Sequence, residues 1–415
     1  MPRFSPAKQY PRGGLRGFKE QLMALAFRAL IAAFGFVAIS ATHASAGGFQ
    51  FDELWKSAKD EFSSRFYKAT GSLKICAANE VKGWLEKEVV PAFKETEKAV
   101  TIREGDLVFN GSGVLVENWN QNNHDRCDIV ILGSDVAALR GDTYDKNKAT
   151  YLAYSPIVIV GQKEKLDAAR VYLDKKPADA LSCGDLANVA SKGRLGRILK
   201  QGQTSKLPVT SRLTLEMSTS NSGQSAFITC VYSTFDATTA KEVDDALATK
   251  ESEAGEKTLK DFMTAIKFDV ESSSKVKDEF VQSPLGVGGE HLAIFTYEGY
   301  LPEIKKAASQ NGIELEVIYP SIGILSNFPA TIVAKEGTPA HETASAFLKL
   351  AKSKIMQERL LKYGLRPAIA GISLPDYMPL NIGVGDSPRN RADLKKFWDI
   401  VGSVPSVKDA KLNAF

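Results

Sequence analysis

Small hydroxyl and amide side chains gather in the run Ser218-Thr219-Ser220-Asn221-Ser222-Gly223, which follows the strand-like residues 213–217 and opens a helix-like segment at Gln224. A helix start leaves several backbone N–H groups unpaired and carries partial positive charge, so such side chains can surround a polar or anionic ligand there without obstruction. One residue of this type suffices as an N-cap. Five in a row before a glycine read instead as a ligand-facing turn. Three other strand-to-helix turns share the composition: Ala78-Asn79-Glu80, Asn110-Gly111-Ser112-Gly113 and Gly133-Ser134-Asp135. Gly and Ser are common in any turn, but open α/β sheets bind ligands outside the carboxyl ends of their strands. Recurrence of one composition at those ends points to a cleft that holds a polar solute.

Chemistry beyond binding has little support in the residues. There is no G-x-S-x-G elbow, no H-E-x-x-H and no phosphate loop, and Gly286-Val287-Gly288-Gly289 lacks dinucleotide-binding spacing. An enzyme on this framework would need Ser220 or Ser222 as nucleophile with His291, beside Glu290, as base; a histidine beside a turn is the commoner reading. Neither the cysteines nor His124, His291 and His341 have zinc-site spacing. No catalysis and no cofactor are expected. Tyr297-Glu298 ends a strand, where the ring or hydroxyl could close over a ligand or simply pack.

The elements that must position these turns alternate. Strands are expected at 73–77, 107–109 and 128–132, with helices at 81–93 and 113–120 between them, the pattern of a parallel sheet with covering helices. Tyr154-Ser155-Pro156 leads into the uninterrupted apolar run Ile157-Val158-Ile159-Val160, read as a crossover into a second lobe. Residues 235–282 are rich in helix formers, with Leu259, Phe262, Met263 and Ile266 at helical spacing. A strand at 293–298, a second crossover at 315–319 and a strand at 330–335 precede helical segments at 342–351 and 354–363. The expected class is therefore α/β with two lobes and two hinge crossovers, each lobe assembled from separated pieces. The expected division is lobe I over 72–154, lobe II over 155–319, and 320–415 as the second part of lobe I with C-terminal helices.

Residues 1–46 have the form of an export signal: six Lys and Arg, an apolar run from Ala29 to Ile39, and the cleavage site Ala44-Ser45-Ala46. Cleavage after Ala46 would release the mature chain into the periplasm. The signal carries six of the 53 Lys and Arg and one of the 49 Asp and Glu, leaving 47 basic against 48 acidic residues. Near-neutrality gives no support for a nucleic-acid partner. Residues 47–71 are expected to hold an amphipathic N-terminal helix, with Phe51, Leu54, Trp55, Ala58, Phe62 and Phe66 at helical spacing and Gly71 ending it. Core packing is its expected role; binding an envelope partner would make the chain a non-transport interaction protein. Cys76, Cys127, Cys183 and Cys230 all follow the signal and allow three pairings. Cys183 with Cys230 is favoured, while Cys76 and Cys127, on neighbouring parallel strands, are expected to lie too far apart.

Together the export signal, the Tyr154–Val160 segment, the Ser218–Gly223 turn, Tyr297-Glu298, Tyr319-Pro320-Ser321-Ile322-Gly323 with Phe328-Pro329, and Tyr363-Gly364-Leu365-Arg366-Pro367 resemble the type II periplasmic solute-binding proteins, in particular their molybdate, sulfate and phosphate-like group. The resemblance implies two α/β lobes that close over a small polar or anionic solute and deliver it to an ABC-type permease or a sensor, the protein acting as a monomer. It further implies a ligand set of Asn79, Ser112, Gly113, Ser134, Ser155, Thr219, Ser220, Asn221, Ser222 and Tyr297. Glu80 departs from the serine-rich first turn of oxoanion binders, and pointed inward it would repel such a ligand.

Overall fold

The computed structural model describes residues 71–97, 99–120, 127–141, 144–191, 212–214, 221–249, 252–267, 273–283, 286–388 and 390–403. The expected leader and N-terminal helix lie outside these residues, as do Ser218, Thr219 and Ser220. Among the described residues no helix is long and apolar enough to cross a membrane.

Strands in chain order are β1 (Gly71–Ser72), β2 (Ile75–Ala78), β3 (Val100–Thr101), β4 (Leu107–Asn110), β5 (Ile129–Ile131), β6 (Thr150–Tyr151), β7 (Ala153–Gln162), β8 (Arg212–Thr214), β9 (Ile266–Lys267), β10 (His291–Tyr297), β11 (Leu315–Ile318), β12 (Leu325–Ser326), β13 (Pro329–Ile332) and β14 (Arg366–Pro367). The helices used below are α1 (Val90–Thr96), α2 (Ser112–Asn120), α3 (Asp135–Ala138), α4 (Lys163–Tyr172), α5 (Cys183–Ser191), α6 (Asn221–Phe235), α7 (Ala240–Leu247), α8 (Ser252–Ala265), α9 (Ser273–Val281), α10 (Leu301–Gln310), α11 (Pro339–Ala351), α12 (Lys354–Leu360) and α13 (Arg391–Gly402).

Two sheets organise the fold. The first runs β4-β2-β5-β13-β6 and the second β11-β7-β10-β8-β9, with β12 and β14 also pairing with β7. The expectation of parallel sheets is met only in part. β2 pairs in parallel with β4 and β5, and β8 with β10 and β9, but β13 is antiparallel to β5 and β7 is antiparallel to β10 and β11. The antiparallel strands are those that enter a sheet directly from the other half of the molecule. A strand that arrives without a covering helix is not bound to the parallel sense of a strand-helix-strand unit.

The chain leaves the first sheet between Tyr151 and Ala153, at the crossover read from Tyr154-Ser155-Pro156. The second crossing differs from expectation. Residues 315–318 still form an edge of the second sheet, and the return falls between Ser326, paired with Ser155, and Pro329, paired with Tyr151. Asn327-Phe328 makes that step, with Phe328 at φ +36°, a conformation that L-residues rarely adopt. Full burial of the Phe328 ring, 6.0 Å from that of Tyr297, offsets the cost. The C-terminal part divides: α11 and α12 stay with the first-sheet half, where Phe347 packs on Phe93 of α1 and Met356 O accepts from Trp84 Nε1, whereas β14 pairs with β7, and α13 packs Phe397 and Trp398 against Tyr232 and Phe227 of α6. α6 is buried from Asn221 to Tyr232, as an element enclosed by other elements must be.

Both cysteine pairs are joined. Cys183–Cys230 ties α5 to α6 with Cα atoms 5.4 Å apart. Cys76–Cys127 is also bonded, at a Cα separation of 5.8 Å, which overturns the expectation that these two lie out of reach. Strand β5 begins only at Ile129, with Val130 opposite Cys76. Cys127 sits in the approach to the strand, where the backbone is free of the parallel ladder and can bring its Cβ toward Cys76.

Candidate functional site

The carboxyl ends of β4 and β5, the start of α6 and the end of β10 meet at one place. Ser112 and Ser134 each sit where a strand of the first sheet gives way to a helix, because Asn110-Gly111 and Gly133 provide the turns. The Ser134 hydroxyl caps α3 by accepting from Val136 N–H at 3.1 Å and donates to Asn221 Oδ1 at 2.5 Å. Asn221 Nδ2 in turn donates to the Tyr297 hydroxyl at 2.7 Å. The Ser112 hydroxyl accepts from Gly133 N–H at 2.8 Å. The packing at Gly133 is close: a Cβ there would come to 3.0 Å from Asn221 Nδ2 and Ser112 Oγ and 3.1 Å from the Tyr297 hydroxyl, so those groups would have to give by a few tenths of an ångström.

This cluster joins residues of the first sheet to residues of the second-sheet half through hydroxyls and an amide. Ser112, Ser134, Asn221, Ser222 and Tyr297 are all at least nine-tenths buried. None of the hydrogen bonds that Ser112, Ser134, Asn221 and Tyr297 make to described residues involves a cation. Burial is the main cause that lifts the Tyr297 phenol well above its ordinary pKa, and the charge of Glu80 adds to it. Glu80 therefore acts on the cluster rather than on bulk solvent alone. The hydrogen bond from Asn221 works in the opposite direction on that phenol.

Other expected ligands lie at the margin. Asn79 is half-buried at the head of a helical stretch and makes no side-chain hydrogen bond among the described residues. Gly113 is buried one residue into α2. The Ser155 hydroxyl accepts from Gly299 N–H at 3.2 Å, so it fixes the turn after Tyr297. Thr219 and Ser220 fall outside the described residues. His291, invoked as a base for a serine nucleophile, lies at the opposite end of β10 from Tyr297, roughly 20 Å away at about 3.3 Å per strand residue. It packs against the Phe280 ring at 5.9 Å and does not serve Ser222.

Two buried carboxylates support the cluster, both in segments that stand out in the sequence but with no supporting role legible there. Asp135, fully buried beside Ser134, accepts from Tyr144 OH at 2.5 Å, Tyr151 OH at 3.2 Å and Asn327 Nδ2 at 2.7 Å, and pairs with Lys146 at 3.0 Å. Asn327 Oδ1 accepts from Asp135 N–H at 2.9 Å, so the return crossing is tied to the Ser134 turn. Glu298, next to Tyr297, forms a bidentate pair with Arg366, both bonds at 2.7 Å, and accepts from Tyr319 OH at 2.6 Å. An acidic residue directly following each expected ligand, Ser134-Asp135 and Tyr297-Glu298, was the available signal. Its partners come from distant sequence.

A set of neutral donors and acceptors held at helix starts between two α/β halves is suited to enclosing a polar solute without covalent chemistry. Residues 73–366 match the family model described as bacterial extracellular solute-binding protein. The chain belongs to that family. Membership makes it a solute-binding protein of periplasmic or extracellular location, with the two-lobed α/β fold of type II periplasmic binding proteins. Solved structures of similar fold include the sulfate-binding protein SubI from Mycobacterium tuberculosis H37Rv, at 16% identity and a TM-score of 0.52, covering 80% of this chain and 98% of that one. Iron-bound HitA from Pseudomonas aeruginosa is similar at 14% identity and a TM-score of 0.50, covering 82% and 99%. An ABC transporter substrate-binding protein from Bradyrhizobium japonicum USDA 110 is similar at 13% identity and a TM-score of 0.50, covering 83% and 98%. No curated protein matches by sequence.

Proposed function

We propose that this family member captures a small polar solute in the cleft between its two halves and works by hinge closure, the ligand held by Ser112, Ser134, Asn221, Ser222 and Tyr297, with Asn79 and Gly113 at the margin and Thr219 and Ser220 as further ligands. The observation that carries the reading is the chain of bonds Ser134–Asn221–Tyr297, which links the two halves through groups equally able to bond a solute. Contacts made only when the halves meet are what bias a two-state hinge toward its closed form. The lobes divide where the chain changes sheet, near 152 and near 327, and α13 belongs with the second lobe. The leader is cleaved after Ala46, the mature monomer acts in the periplasm, and the solute passes to an ABC-type permease or sensor in the inner membrane. Catalysis plays no part.

The test is a thermal-shift screen of the mature protein, followed by isothermal titration of each hit. Asn221→Ala removes a donor and an acceptor at once and should weaken any solute about fivefold to a hundredfold, the cost of one or two lost bonds at about 1–1.5 kcal/mol each. Unchanged affinity would move the site elsewhere, and conversion of the solute would replace binding by catalysis.

A further inference from the structure

Among the described residues, Gln224 is a buried side chain with both of its polar atoms left without a partner. It is fully buried in the first turn of α6, and among the described residues neither its Oε1 nor its Nε2 has a hydrogen-bond partner. Leaving a buried amide unpaired costs about 1–3 kcal/mol, so native proteins seldom do so without a reason. It lies three positions after Asn221, which places the two on one face of the helix, about one turn apart. Asn221 is the residue through which α6 reaches Ser134 and Tyr297. An amide offers a donor and an acceptor, and both are unused.

We propose that Gln224 is a ligand-binding residue that selects the class of solute: one that donates hydrogen bonds as well as accepting them, an amino- or hydroxyl-bearing solute rather than a fully ionised oxoanion. The inference rests on the solute-binding reading given above. Three further observations agree with it. The bonds of Ser112, Ser134, Asn221 and Tyr297 to described residues include no cation that would neutralise an oxoanion. Lys146, behind Ser134, is ion-paired to Asp135. The negative charge of Glu80 reaches Tyr297 in the same cluster, which raises the cost of a second anion and lowers that of an N–H or O–H donor. Acceptor-only solutes would leave Gln224 Oε1 still unpaired. A donor-bearing solute satisfies both ends of the amide.

The experiment compares the mature wild-type protein with Gln224→Leu, Glu80→Gln and Asn221→Ala. The probes are two sets: free amino acids, sugars, polyols and polyamines on one side, sulfate and molybdate on the other. Melting temperature is followed first, then titration calorimetry. We expect a member of the first set to bind and neither oxoanion to do so. Gln224→Leu, close in size and apolar, should keep or raise the melting temperature of the ligand-free protein while weakening the solute at least tenfold. A Gln224 held by internal bonds would give the opposite, a lower melting temperature with affinity unchanged, and that result would overturn the assignment. Glu80→Gln should weaken an ammonium-bearing solute more than a hydroxyl-bearing one. Tight sulfate or molybdate binding, unaffected by Gln224→Leu but lost in Asn221→Ala, would overturn the solute class and leave the site standing. Binding indifferent to both Asn221→Ala and Gln224→Leu, or none from either set, would overturn the site itself.

Discussion

At the residue scale, Gly133 carries the constraint that bears on the polar cluster. Its missing Cβ leaves the space in which Ser112, Asn221 and Tyr297 approach one another, with three polar atoms about to collide with any larger residue. Gly133→Ala should cost about 1 kcal/mol of stability, as modest overpacking does, but spread the cluster enough to weaken solute binding several-fold. Parallel denaturation and titration measurements would check this, and a variant with wild-type affinity would mean that the cluster tolerates expansion. Glycine in a turn ending Ile129–Ile131 is easily read from sequence as a conformational need. That it marks a close approach is visible only once Asn221, 88 residues later, is set against it.

Elements meet at β7, the longest strand among the described residues, which pairs with β10, β11, β12 and β14. Arg366 on β14 and Glu298 after β10 form the ionic tie across this junction, with Glu298 fully buried. Removing one partner of such a pair leaves an uncompensated buried charge, at about 3–5 kcal/mol. Glu298→Leu should therefore destabilise strongly, whereas Glu298→Leu combined with Arg366→Met should recover most of the loss. Urea unfolding of the two variants is the measurement, and equal instability of both would assign the effect to packing instead of charge. The pair was half legible in sequence: Tyr297-Glu298 and the Tyr363–Pro367 segment both stood out, but no local pattern joins residues 68 positions apart.

The whole molecule should respond to alkaline pH in two stages. Lys165 Nζ donates to the carbonyls of Gly288, Gly289 and His291, and burial pushes its pKa down to about 8. An unfolded lysine keeps its proton to about 10.4. Between about 8 and 10.4 the unfolded chain thus binds more protons, so this residue makes stability rise with pH. Tyrosines work the other way. Burial, aided by carboxylate neighbours, lifts Tyr151 and Tyr363 to about 12, and Tyr144, Tyr232 and Tyr319 also stand above the usual phenol value. Above about pH 10 an unfolded chain releases phenolic protons that the folded one retains, and stability falls. Melting temperatures from pH 7 to 11 should pass through a maximum near pH 10, and Lys165→Met should flatten the rising limb alone. Native phenols all titrating near 10, followed by absorbance at 295 nm, would contradict the falling limb.

Sequence by itself determined the alternation of strands and helices, the first crossing before the apolar run of β7, the polar composition of the turns and the poverty of catalytic groups. These follow from local chemistry: side-chain period, glycine at strand ends, small hydroxyls at helix starts. Tertiary structure alone decided which turns meet. Ser134, Asn221 and Tyr297 converge while Ser155 turns to the backbone of Gly299, because the crossings at 152 and 327 set the two sheets against each other. The same crossings made both sheets mixed, and the start of β5 at Ile129 brought Cys127 to Cys76. Register and long-range apposition depend on where the chain changes sheet, a choice settled by the packing of whole faces and carried by no short stretch of residues.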